Sequence, residues 1–166
     1  SNGVQADSGV VDADVLHSLQ LTRAFGENDP LKIIGAAKVK ELVWHEDAFA
    51  IGFNFGLLTS LVKLDMSVEK ASGYRNGSFM ASTNGMLLLE EVNMRNNRLA
   101  RNGDNGNVAT LDLSWQGRLK KLDVRGTGLT RVKLATGAPV VQLCLPDTIE
   151  ELFLEYLTKL SDSGLI

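Results

Sequence analysis

The stretch Leu119-Lys-Lys-Leu122-Asp-Val124-Arg-Gly-Thr127-Gly-Leu129-Thr-Arg-Val132-Lys-Leu134 sets apolar side chains at L-x-x-L-x-L spacing twice in succession. Between them lie polar residues such as Lys121, Asp123 and Lys133, the alternation of a strand with one covered face. A helix needs apolar residues three and four apart over a longer span, and a Gly or Pro interrupts most half-repeats, so little helix beyond short turns is expected. The same triplet recurs at Leu16/Leu19/Leu21, Val39/Leu42/Trp44, Leu61/Leu64/Met66, Leu89/Val92/Met94 and Val140/Leu143/Leu145. A second set lies between these, at Val108/Leu111/Leu113, Leu129/Val132/Leu134 and Ile149/Leu152/Leu154, with looser counterparts at Ile51/Phe53/Phe55 and Leu31 to Ile34. Starts at 119, 129, 140 and 149 imply a coil of about 20 to 21 residues with an extended segment in each half. None of these units can bury its apolar row alone, and stacked neighbours cover it. The expectation is a mainly β solenoid of about six coils occupying residues 1–166 as one repeat domain.

The period is uneven. Extra residues at Ser67 to Met86 and Arg98 to Asn107 read as insertions, which in solenoids emerge as loops on one side. Asn76-Gly77, Asn84-Gly85, Asn102-Gly103 and Asn105-Gly106 are turn dipeptides, because both residue types tolerate positive φ. Ser1-Asn2 reads as a remnant of tag removal and carries no weight in the fold. After residue 160 the pattern breaks off with no polar capping segment, so a bare end is expected, belonging to a longer chain or meeting another chain end to end.

Leu89-Glu-Glu-Val92-Asn-Met94-Arg-Asn-Asn97-Arg-Leu99 resembles the leucine-rich repeat consensus L-x-x-L-x-L-x-x-N-x-L, and Leu119 to Leu129 resembles it with Thr127 in place of the asparagine. A polar residue at that position can satisfy backbone groups where the chain bends inside the coil. The segments Ala109 to Ser114, Leu119 to Leu129 and Leu143 to Leu154 look like repeats in large surface or phage tail proteins of gut Bacteroidetes. That resemblance is strong over residues 108–160 and weak before 60. It implies a recognition or structural module at a cell surface or in a virion.

Composition narrows the function classes. The chain is 44% hydrophobic and 22% charged over 166 residues, enough to build a core. No apolar run approaches the ~18 residues of a membrane span, and no charged-then-apolar leader opens the sequence, so neither membrane insertion nor a signal peptide is expected. A net charge of −3 and a pI near 5.4 remove the basic footprint of a nucleic-acid binder. The lone Cys144 leaves no internal disulfide and no multi-cysteine zinc site.

Catalytic groupings are thin. His17 and His45 are the two histidines, and no cofactor or metal is expected. The local cluster Trp44, His45, Glu46 and Asp47 is the place an enzyme reading would use, and its plainer reading is a solvated strand end. Cys144 is expected on the outward side of its strand with no histidine nearby. Stacking instead lines up outward rows: Gln20, Val43, Asp65, Asn93, Asp123, Cys144 in one, Lys63, Glu91, Lys121, Gln142 in another, and Thr22, His45, Ser67, Arg95, Arg125, Pro146 in a third. Lys63, Asp65, Glu91, Asn93, Arg95, Lys121, Asp123 and Arg125 thus form a candidate face for a protein or glycan. The two arginines offer planar donor forks suited to carboxylates, and the Ser67–Met86 insertion, carrying Tyr74 and Phe79, borders the face. The competing reading is a solvated sheet surface.

Overall fold

In the computed structural model, which describes residues 3–6, 10–12, 18–21, 31–45, 53–70, 77–101 and 103–166, each apolar triplet that is described becomes a short strand or the flank of one, except Phe53/Phe55. The strands are β1 (Gly3–Ala6), β2 (Val10–Asp12), β3 (Ser18–Leu21), β4 (Lys32–Ile34), β5 (Glu41–Trp44) and β6 (Lys63–Asp65). They continue with β7 (Glu91–Asn93), β8 (Thr110–Leu113), β9 (Lys121–Asp123), β10 (Arg131–Leu134), β11 (Gln142–Cys144) and β12 (Glu151–Phe153). A 7-stranded sheet runs β1-β3-β5-β6-β7-β9-β11, a 3-stranded sheet β12-β10-β8, and β2 pairs with β4. All these pairings are parallel. Strands of one sheet are separated in sequence by a strand or turn on the other side, and parallel neighbours one winding apart define a β-solenoid.

The coil count differs slightly from six. Among the described residues five coils carry a strand on both sides: β1 with β2, β3 with β4, β7 with β8, β9 with β10, and β11 with β12. The first of these has no L-x-x-L-x-L triplet and escapes sequence reading. In the coils opened by β5 and β6 the far side is a 3-10 turn, Phe55–Leu57 or Thr83–Gly85, with one helical turn at Gly77–Met80. The strand expected around Phe53 and Phe55 is therefore a turn: both rings point inward, edge to face at 5.0 Å, and Phe55 meets Phe79 at 5.9 Å. Ile51 lies outside the described residues. Bulky rings span the core from a turn and remove the need for a second strand there. The two turns stack so closely that a Cβ on Gly85 would collide with the backbone of Gly56.

The core is one continuous column. Its central row pairs Leu19, Leu42, Leu64, Val92, Leu122 and Leu143 strand by strand, all buried. Leu111, Val132 and Leu152 answer it from the short sheet. Asn97 and Thr127 are buried and satisfied: the Asn97 amide donates to the Met66 carbonyl at 2.9 Å and the Thr127 hydroxyl to the Val124 carbonyl at 2.6 Å. These bonds are the physical reason a polar residue recurs at the bend.

At the C-terminal end one further rung is added to the long sheet: Leu165 forms a parallel bridge to Leu143, with Ile166 donating to the Leu143 carbonyl and accepting from the Leu145 N–H, and both apolar side chains of this rung are exposed. Cys144 stands in the outward row, in register with Asp123, and is nevertheless buried at 1% exposure, which pushes its thiol pKa up. The short sheet ends at β12, where Phe153, Leu154 and Tyr156 are exposed.

Candidate functional site

The outward rows form because register is conserved from coil to coil. Glu41, Lys63, Glu91, Lys121 and Gln142 pair in one line, and Val43, Asp65, Asn93, Asp123 and Cys144 in the next. Lys63, Asp65, Glu91, Asn93, Lys121 and Asp123, with Glu41, Val43 and Gln142, line a shallow depression of about 470 Å³. Arg95 and Arg125 line an adjoining hollow with His45, Ser67 and Lys70, and Asn93 and Asp123 belong to both. All eight predicted residues therefore share one face. Glu41 and Lys70 were not anticipated. Glu41 stands two residues after Val39, the offset of Lys63 from Leu61, so its signal was present.

Much of this face is occupied with its own structure. Glu91 sits between Lys63 at 3.8 Å and Lys121 at 3.7 Å, exposed pairs of modest worth. Asp65, Asn93 and Asp123 each accept the N–H two residues on, at 3.1, 3.1 and 3.2 Å, closing the turn by which the chain leaves the strand. This local bond explains Asp or Asn at each strand end without any ligand. The expectation of two free arginine forks is corrected: Arg125 is engaged bidentately by Asp123, at 3.0 and 2.6 Å, because the turn brings its guanidinium back over that carboxylate. The hydrogen bonds from Asp123 raise the Arg125 pKa above its ordinary value. Arg95 has Asn93 in the corresponding place, and an amide cannot form that ion pair. Among the described residues the Arg95 guanidinium, the Asn93 amide N–H₂ and the second oxygen of Asp65 have no partner.

Other predicted features disperse. Trp44 is wholly buried in the core, and His45 Nδ1 lies 2.8 Å from the Ser67 carbonyl and 3.8 Å from Asp65. Glu46 and Asp47 lie outside the described residues. The Ser67–Met86 insertion does not simply border the face. Its second half crosses to the opposite wall, with Phe79 and Met86 buried, and Tyr74 lies outside the described residues. There the unforeseen Gln116, fully buried, donates to the carbonyls of Thr83 at 2.6 Å and Met86 at 3.0 Å.

The fold and face together define a solenoid repeat protein with a broad, flat, mixed-charge sheet surface. Comparison with family models, curated proteins and solved structures finds no match to the chain.

Proposed function

We propose that this chain is a non-enzymatic recognition or structural module that binds a protein or glycan through the outer face of its long sheet, with a ligand carboxylate on Arg95. The observation that carries the reading is the unpartnered trio on adjacent coils: the Arg95 guanidinium as a donor fork, the Asn93 amide as a neutral donor and the free oxygen of Asp65 as an acceptor. A charged donor fork without a protein partner, beside a neutral donor and a free acceptor, favours a ligand that completes them. The surrounding polar groups spread along a shallow sheet instead of converging on one reacting point, as recognition requires. The resemblance of residues 108–160 to repeats of surface and tail proteins points to the same class and to a setting on a cell surface or virion. Contact with another chain end to end, across the exposed Val141, Leu165 and Ile166, belongs to this reading as well.

The test is binding to an array of uronic-acid glycans and acidic peptides, followed by affinity measurements with Arg95→Ala and Arg95→Lys. A charge-assisted hydrogen bond of ~1.5–3 kcal/mol predicts roughly a 10- to 150-fold loss in Arg95→Ala and partial retention in Arg95→Lys. Unchanged affinity of an authentic ligand for Arg95→Ala overturns the assignment.

A further inference from the structure

Trp115 and Gln116 are inverted with respect to hydrophobicity. The indole is 57% exposed at the exit of β8, while the neighbouring glutamine side chain is 0% exposed. Gln116 is inside because its amide ties the Thr83 and Met86 carbonyls. Nothing comparable holds Trp115, which has no hydrogen bond or ring contact among the described residues. A large aromatic left in water, where local rules place it in the core, marks a site of function more often than of stability.

Trp115 has company on the outer side of the short sheet. With Phe153 of β12 it lines a groove of about 660 Å³, together with Ser114, Lys133, Thr136 and Glu155. Phe153 is on β12, while Trp115 lies in the turn two residues past the end of β8, and β10 runs between those two strands. Ala135 and Gly117 put no bulk in the groove, and Arg131 stacks on Phe153 with its guanidinium carbon 5.4 Å from the ring centre, which holds that ring in place. At the rim, Lys133 stands in register with Asp112 and interacts with it electrostatically without a close ion pair. Glu155 accepts one weak bond, from the Thr136 hydroxyl at 3.4 Å, and keeps its other oxygen free.

We infer that this groove binds a neutral oligosaccharide, its pyranose rings lying on Trp115 and Phe153. A pyranose presents an apolar face of C–H groups to an aromatic plane and a rim of hydroxyls that both donate and accept. The groove supplies the matching pair, flat apolar ends and a free donor and acceptor between them. Lys133 stands in register with Asp112 and shares the rim with Glu155, so the groove carries no excess of positive charge, which disfavours an acidic ligand. A purely apolar partner would leave both charges desolvated and unpaired. The site lies on a different sheet from Arg95 and stands independently of the reading above.

The protein carries its own reporter. Its two tryptophans are Trp44, wholly buried, and Trp115, so iodide quenching reads Trp115. Titration with cellotetraose, laminaritetraose, mannotetraose and chitotetraose is expected to protect Trp115 from iodide with at least one of them. Binding followed calorimetrically is expected to fall roughly tenfold or more in Trp115→Ala and in Phe153→Ala. Both aromatics are exposed, so the variants keep their fold, which circular dichroism checks. No protection by any tetrasaccharide at millimolar concentration overturns the inference. So does unchanged affinity in Trp115→Ala, or a response to the apolar dye ANS without a response to sugar.

Discussion

Leu122→Ala tests the stacked core at its most constrained point. Leu122 is 1% exposed in the middle of β9, with Val92 of β7 on one side and Leu143 of β11 on the other. Replacing it removes three carbon groups, about 2.4 kcal/mol of transfer free energy at ~0.8 kcal/mol each. A cavity term is added, and it should be large here, because ladder hydrogen bonds fix both neighbouring strands and prevent collapse. The total expected is about 3–5 kcal/mol, the upper part of the range for buried leucines. Leu152→Ala, at the partly buried end of the column, should cost less than half as much, since one side has no further strand among the described residues. Urea denaturation followed by far-ultraviolet circular dichroism gives both values. A loss below about 1 kcal/mol for Leu122→Ala, the size typical of a surface site, refutes the register.

Gly128→Ala should destabilise by about 1–3 kcal/mol in the same assay, because Gly128 has φ +78° and a Cβ there would strike the Ala100 carbonyl. Gln116→Leu leaves the Thr83 and Met86 carbonyls short of a donor and should cost about 1–3 kcal/mol, with faster amide exchange at residues 83–89. Cys144 should resist iodoacetamide in the folded protein and react on unfolding. Its raised folded pKa means that its stability contribution is complete below the ordinary thiol range and is lost as pH rises into and beyond it.

Where apolar triplets alternate cleanly with charges, as at Leu119 to Leu134, strand, register and outward rows are all legible, because side-chain alternation with period two leaves one face for the core. Legibility fails where another element supplies the burial. Phe53 and Phe55 look like alternating strand residues but fill the core from a turn, since Phe79 in the following insertion closes around them. The long Ser67–Met86 segment reads as a loop because Gly and Asn dominate part of it, and its role as an inner wall depends on Gln116, thirty residues beyond Met86. At the candidate face, position is readable but availability is not. Arg95 and Arg125 look equivalent, and only the identity of the residue two places earlier, Asn93 against Asp123, separates a free guanidinium from an engaged one.

That difference is also the most direct point of test. Backbone and arginine side-chain NMR shifts recorded while the protein is titrated with an acidic peptide or a uronic-acid oligosaccharide report which surface the carboxylate meets. Shifts are expected to centre on Asp65, Asn93 and the Arg95 Nε–H, with little change at the Arg125 Nε–H and loss of the whole pattern in Arg95→Ala. Binding whose shifts lie elsewhere, or persist unchanged in Arg95→Ala, contradicts the placement of the carboxylate on Arg95.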